Sequence, residues 1–325
     1  MCFMKHPILF TILLFLVILG GLSSCNNDVF IDKIKATSAT DLQMSGEGDS
    51  TSVTMNSSKW SVAAITATGQ PENSFSGKVY EADGTLIGDN YSFAELMPPK
   101  VTLVYENAKN GFTVKHTADQ RLDISVAENL TDQNFLFTVW VSDSYTYIPI
   151  NVVQSPSAGY AIDHIDYTLI PKSYTKAWEG TRDSLEIQSD TPVTMQWSIF
   201  SSEKQVISFK SKEEKAFAYT KEDDQVEIPN GVVDGQLRFA PDKMYYRASE
   251  QKGNLPFADV SKSVVFPIGK SAIERVIEYE SFDASYTLYL RHKQSGELRS
   301  VSGIFHSKMP TGENYYLIVN NRIQK

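Results

Sequence analysis

The stretch FLFTVWVSDSYTYIPINVVQ, residues 135–154, decides the fold. Apolar and β-branched residues alternate with polar ones on either side of Asp143-Ser144, the period of a strand rather than of a helix. A two-residue turn at Asp143-Ser144 pairs Ser142 with Tyr145, Trp140 with Tyr147, Val139 with Ile148 and Phe137 with Ile150. Phe135, Phe137, Val139, Ile148, Ile150 and Val152 then share one face, which must be core. The opposite face carries Trp140, Tyr145 and Tyr147 beside Thr138 and Asn151.

The same punctuation extends in both directions. Around a turn at Ser295-Gly296, Tyr286, Leu288, Leu290, Val301 and Phe305 fall together while Arg291 and Lys293 face away. Short alternating runs separated by turn residues continue from Asp49 onward, and helical periodicity is confined to residues 92–95 and 211–219. The fold class is therefore all-β, with two immunoglobulin-like β-sandwich domains in tandem. The run Ser155-Pro156-Ser157-Ala158-Gly159 has the composition of a joint, which places the domains at residues 46–155 and 160–325.

Of 325 residues, 30 are Lys or Arg and 39 are Asp or Glu, a formal charge of −9. Nucleic acid, which demands a basic surface, is excluded as a partner on that ground. The two cysteines, Cys2 and Cys25, leave the body of the chain without disulfides or thiolate metal sites. Residues 1–24 have the layout of a secretory signal peptide: one early charge, an apolar run over residues 8–19, then small residues. That run falls short of the roughly 20 apolar residues a spanning helix needs. Leu22-Ser23-Ser24-Cys25 resembles a bacterial lipobox, which implies cleavage before Cys25 and acylation of its sulfur, giving stable attachment to a membrane. Residues 25–45 then read as a lipidated tether. The expected location is the outer membrane, anchored by lipid, on the cell surface rather than the periplasmic face.

Ser50 to Met55 followed by Trp60-Ser61-Val62, Asn129 followed by residues 135–141, and the closing Ile150-Asn151-Val152-Val153-Gln154 resemble the BACON domain. That β-sandwich module is found in secreted and lipid-anchored proteins of gut Bacteroidetes and has a proposed carbohydrate-binding role. The resemblance covers residues 42–154 and departs from the family in the long insertion at residues 66–110. It implies a Bacteroidetes-type lipoprotein with a BACON-like N-terminal domain.

Signatures of catalysis are missing: no G-x-S-x-G elbow, H-E-x-x-H, phosphate loop or dinucleotide fingerprint is present. The histidines show no metal-ligand spacing, so neither a metal nor a cofactor is expected, and the reading is that the protein is not an enzyme. Trp140, Tyr145 and Tyr147, with Asp143 at the turn, form the candidate glycan-binding site. Sugars present flat C–H patches that stack on aromatic rings and hydroxyls that need polar partners. The competing reading covers these rings with the 66–110 insertion or the second domain. Trp60 and Trp197 belong to the core on their alternation, and Trp178 is a secondary candidate. The leading expectation is a lipid-anchored, non-catalytic module binding polysaccharide or host glycan. The alternative is a structural or adhesive surface protein, a pilus-associated or transport-complex subunit, that engages another envelope protein through exposed strand edges.

Overall fold

The computed structural model describes residues 33–320 apart from Gly69 and Ser144. The expected signal peptide and the expected lipid attachment at Cys25 therefore lie outside the described residues. The described chain is all-β, joined by turns and one 3₁₀ turn at Pro171–Ser173. Neither short helix expected from sequence forms. Residues 211–219 instead make isolated turns, with Ala216 N–H donating to the Glu213 carbonyl and Ala218 N–H to that of Lys215.

The first half contains β1 (Asp41–Met44), β2 (Asp49–Thr54), β3 (Ser61–Ala67), β4 (Gln70–Ser74), β5 (Ser76–Tyr80), β6 (Leu86–Ser92), β7 (Thr102–Glu106), β8 (Gly111–Ala118), β9 (Arg121–Val126), β10 (Phe135–Ser142) and β11 (Tyr147–Gln154). They form a five-stranded sheet ordered β1-β11-β10-β3-β4 and a six-stranded sheet ordered β2-β9-β8-β7-β5-β6. The two sheets close on one core that includes Val53, Ile65, Leu103, Val114, Ile124, Phe137, Val139 and Ile150. At its end Phe112 stacks on Phe137 with ring centroids 4.4 Å apart, and Phe75 meets Phe112 edge-on. Residues 41–44, inside the expected tether, are β1, which pairs in parallel with β11 from Asp41–Asn151 to Met44–Gln154. Ile34 is buried in the same core.

The β10–β11 hairpin forms with its faces as expected, but its register differs. Ser142 pairs with Tyr147, Trp140 with Pro149 and Val139 with Ile150. A slip of two residues preserves which side chains face inward, because the side-chain period of a strand is two. The cause is Asp143, whose Oδ1 accepts the N–H groups of Tyr145 and Thr146 and so builds a longer loop than a two-residue turn. The second expected hairpin slips likewise: Leu288 pairs with Val301 and Arg291 with Leu298. Tyr286, Leu288, Leu290, Val301 and Phe305 are all buried, and Arg291 and Lys293 are exposed.

The second half contains β12 (Tyr160–Leu169), β13 (Thr175–Ile187), β14 (Val193–Ser198), β15 (Gln205–Lys210), β16 (Gln225–Val233), β17 (Gln236–Tyr245), β18 (Gln251–Gly253), β19 (Ser261–Phe266), β20 (Gly269–His292) and β21 (Leu298–Asn320). Its axis is the antiparallel pair β20 and β21, of 24 and 23 residues, about 80 Å at strand rise. β12 covers one end of β20 and β13 the other, so the two act as one interrupted strand bent at the 3₁₀ turn. A bulge between Ile277 and Tyr279 switches the inward face of β20. Beyond it Glu280, Phe282, Ala284, Tyr286, Leu288, Leu290 and His292 alternate strictly as buried residues. β16 with β17 and β14 with β19 are separate ribbons laid on this sheet.

Candidate functional site

The outer face of the five-stranded sheet carries the candidate residues. Trp140 lies between Ala64 on β3 and Pro149 on β11, so small or flat neighbours leave its indole room to lie across the sheet. Pro149 sits beyond the end of β1, where its missing N–H costs the sheet no ladder bond on that side. A bulge against Trp140 and Val141 puts Ala63 as the extra residue of β3. The indole Nε1–H donates to Thr66 Oγ1 at 3.2 Å, fixing the ring. Beside it, Thr138 Oγ1 donates to Asn151 Oδ1 at 3.1 Å, and Asn151 Nδ2 donates to Asp41 Oδ1 at 2.8 Å.

The facing wall is the segment from residue 93 to 100. It is laid along β3 by main-chain bonds, Ile65 N–H to the Phe93 carbonyl and Met97 N–H to the Val62 carbonyl, each 2.8 Å. Phe93 and Met97 anchor it in the core, and the alternation turns Ala94 and Leu96 toward the sheet surface. Between these walls lies an open cleft of about 870 Å³, bordered by Trp60, Ala64, Thr66, Leu96, Pro99, Trp140, Asp143 and Tyr147, with Ser58, Lys59 and Ser61 at its polar edge. Tyr147 is 66% exposed and Leu96 66% exposed, while Trp140 is half-buried.

Of the four residues singled out from sequence, Trp140, Asp143 and Tyr147 thus line one cleft. Tyr145, 72% exposed, stands on the adjoining loop and does not line it. The 66–110 insertion supplies a wall rather than a cover, and the second half does not bury these rings. Asp143 is occupied differently from the expectation. Its burial favours the neutral acid, yet the N–H groups of Tyr145, Ile34 and Thr146 outweigh this and hold the carboxyl below the ordinary carboxylate value. Oδ2 takes the Ile34 N–H at 3.0 Å, so the carboxylate clamps the N-terminal segment and the hairpin loop together. Its role at the cleft is to shape the wall, because its lone pairs are largely committed.

Trp60 is buried as expected, stacked on His116 with ring centroids 3.9 Å apart, its Nε1–H shared between the Ser57 and Asp119 carbonyls. Its edge reaches the cleft all the same. Trp197 is half-buried against Phe266. Trp178, 49% exposed, pairs with Tyr315 on the long sheet at 5.3 Å between centroids and does not line the cleft. Leu96 and Pro99 carry no signal in the sequence, because only the burial of Phe93 and Met97 places them.

No family model and no curated protein matches the chain. Among solved structures it is similar to the parasporin-2 Bacillus thuringiensis toxin that recognizes cancer cells. The identity is 11% and the TM-score 0.24, over 50% of this chain and 74% of that one. It is similar too to the lamprey immune protein, at 10% identity and a TM-score of 0.25, over 88% of this chain and 90% of that one. Likeness at that level carries no argument about function.

Proposed function

We propose that the protein is a non-catalytic glycan-binding module, held to the outer membrane by lipid on Cys25, which uses the Trp140–Tyr147 cleft. The observation that carries this reading is the pair of large aromatic side chains left half-buried or exposed along an open, polar-rimmed groove. Water contact with that much ring surface is unfavourable unless a ligand replaces it, and sugar faces suit rings that also need polar neighbours at the rim. Thr66 fixes the indole in advance, so binding need not spend free energy ordering it. The resemblance of residues 42–154 to a carbohydrate-binding module agrees with this choice of ligand class.

A glycan array probed with the full chain in detergent, and in parallel with Trp140→Ala, tests the reading. Loss of one stacking platform is expected to weaken retained ligands about tenfold, roughly 1.4 kcal/mol. Trp178→Ala should bind as wild type. Retention undiminished in Trp140→Ala contradicts the site, and a blank array contradicts the ligand class and favours a protein partner.

A further inference from the structure

The joint between the two halves brings together three side chains from distant parts of the chain. Glu47 lies on the loop between β1 and β2, Glu128 follows β9, and His292 closes β20. One ligand atom from each lies within 4.8 Å of the others. The His292 side chain is 8% exposed, and its Nε2 stands 2.8 Å from Glu47 Oε2. The approach is short but off the hydrogen-bonding direction, so Nε2 is a buried nitrogen beside two carboxylates without a hydrogen bond. A buried polar atom left without a hydrogen bond is destabilising unless a further group meets it.

The carboxylates are short of donors as well. A single hydroxyl, Ser157 Oγ, faces both Glu47 Oε2 at 3.2 Å and Glu128 Oε1 at 3.0 Å, and one proton cannot serve two acceptors. Among the described residues no Lys or Arg makes an ion pair with either glutamate. Their outer oxygens, by contrast, are held: Ala158 N–H donates to Glu47 Oε1 at 2.8 Å and Tyr160 O–H to Glu128 Oε2 at 3.2 Å. That leaves the inner oxygens on the His292 side of each carboxylate, with one ligand atom of each of the three residues within 4.8 Å of the others.

We infer that this joint is a divalent-cation site of the zinc type, with Glu47, Glu128 and His292 as its protein ligands. A buried imidazole nitrogen beside two carboxylates suits zinc, whereas calcium and magnesium prefer all-oxygen shells. Metal–ligand bonds of about 2.0–2.2 Å set tetrahedral ligand atoms roughly 3.3–3.6 Å apart, so the His292–Glu47 pair, now at 2.8 Å, opens slightly on binding while separations nearer 4.8 Å close. Ser295 Oγ, 2.9 Å from His292 Nδ1, supplies the outer contact that ligating histidines use. A metal on Nε2 would leave the imidazole proton on Nδ1, where that oxygen could accept it in place of the Ser295 N–H, which lies 3.1 Å from Nδ1. Because its ligands come from both halves, the cation would tie them at the 155–159 joint.

The test is titration of ZnCl₂ alone into the EDTA-stripped full chain, with Cys2 and Cys25 alkylated, followed by calorimetry and metal analysis. One zinc per chain is expected at micromolar affinity or tighter, undisturbed by millimolar calcium or magnesium. His292→Asn and Glu128→Gln should each weaken it at least tenfold while melting like wild type in chelator; if His292→Asn does not fold, Glu128→Gln alone decides. No zinc bound at 0.1 mM, or binding unmoved by the substitutions, overturns the site.

Discussion

His116 lies behind the cleft, stacked under Trp60, with its Nδ1 accepting the Lys100 N–H at 3.2 Å. Burial holds its imidazole below the ordinary value of 6.5, and the Lys100 charge pushes the same way against Asp119 and the Ala118 backbone. The unfolded chain therefore takes up the proton first as pH falls. The stability this residue contributes is complete above about pH 6.5 and is lost as the pH drops through the lower folded value. Denaturant midpoints measured across pH 5–8 should fall on the acid side more steeply in wild type than in His116→Phe, which keeps the stack but cannot titrate. Parallel profiles would show that His116 is not buried in its neutral form. Asp143 is the counterpart at the cleft's other end, a carboxylate whose value lies in the three N–H groups it gathers.

At the scale of elements, β20 sets the second half. Tyr286, on its buried face, shares a hydrogen bond with Tyr246 just after β17, oxygen to oxygen 2.9 Å, in a core otherwise closed by Phe209 and Phe305. Removing one hydroxyl strands the other, so Tyr286→Phe should cost about 1–3 kcal/mol, and the Tyr246→Phe/Tyr286→Phe double variant less than the sum of the single changes. Additive losses in urea melts would mean the pair is not coupled. Inward faces of both hairpins were legible in the sequence because alternation survives any slip of two. Registers were not, since the loop at Asp143 is lengthened by side-chain bonds to Tyr145 and Thr146 that spacing does not reveal. Nor was the 24-residue span of β20, whose bulge near Glu278 moves the buried residues to the other parity and breaks the pattern.

Over the whole molecule, a closed two-sheet half presents a cleft on its outer face, and a long-stranded half is joined to it through the 155–159 segment. Trp140 and Tyr147 were readable as cleft-lining candidates because they alternate with core residues on one hairpin. The facing wall was not, since Leu96 and Pro99 owe their place to contacts of Phe93 and Met97 with residues distant in sequence. The Glu47, Glu128 and His292 convergence escapes a spacing argument for the same reason: it exists only once the halves meet. The chain carries four tryptophans, Trp60, Trp140, Trp178 and Trp197, so its indole N–H groups report on the core, the cleft and the long sheet separately. Indole resonances of ¹⁵N-tryptophan-labelled full chain, followed while a glycan retained on the array is added, test the central claim most directly. The Trp140 signal should move saturably while Trp178 and Trp197 stay fixed; a Trp178 shift with Trp140 unmoved would place the ligand elsewhere and contradict the account.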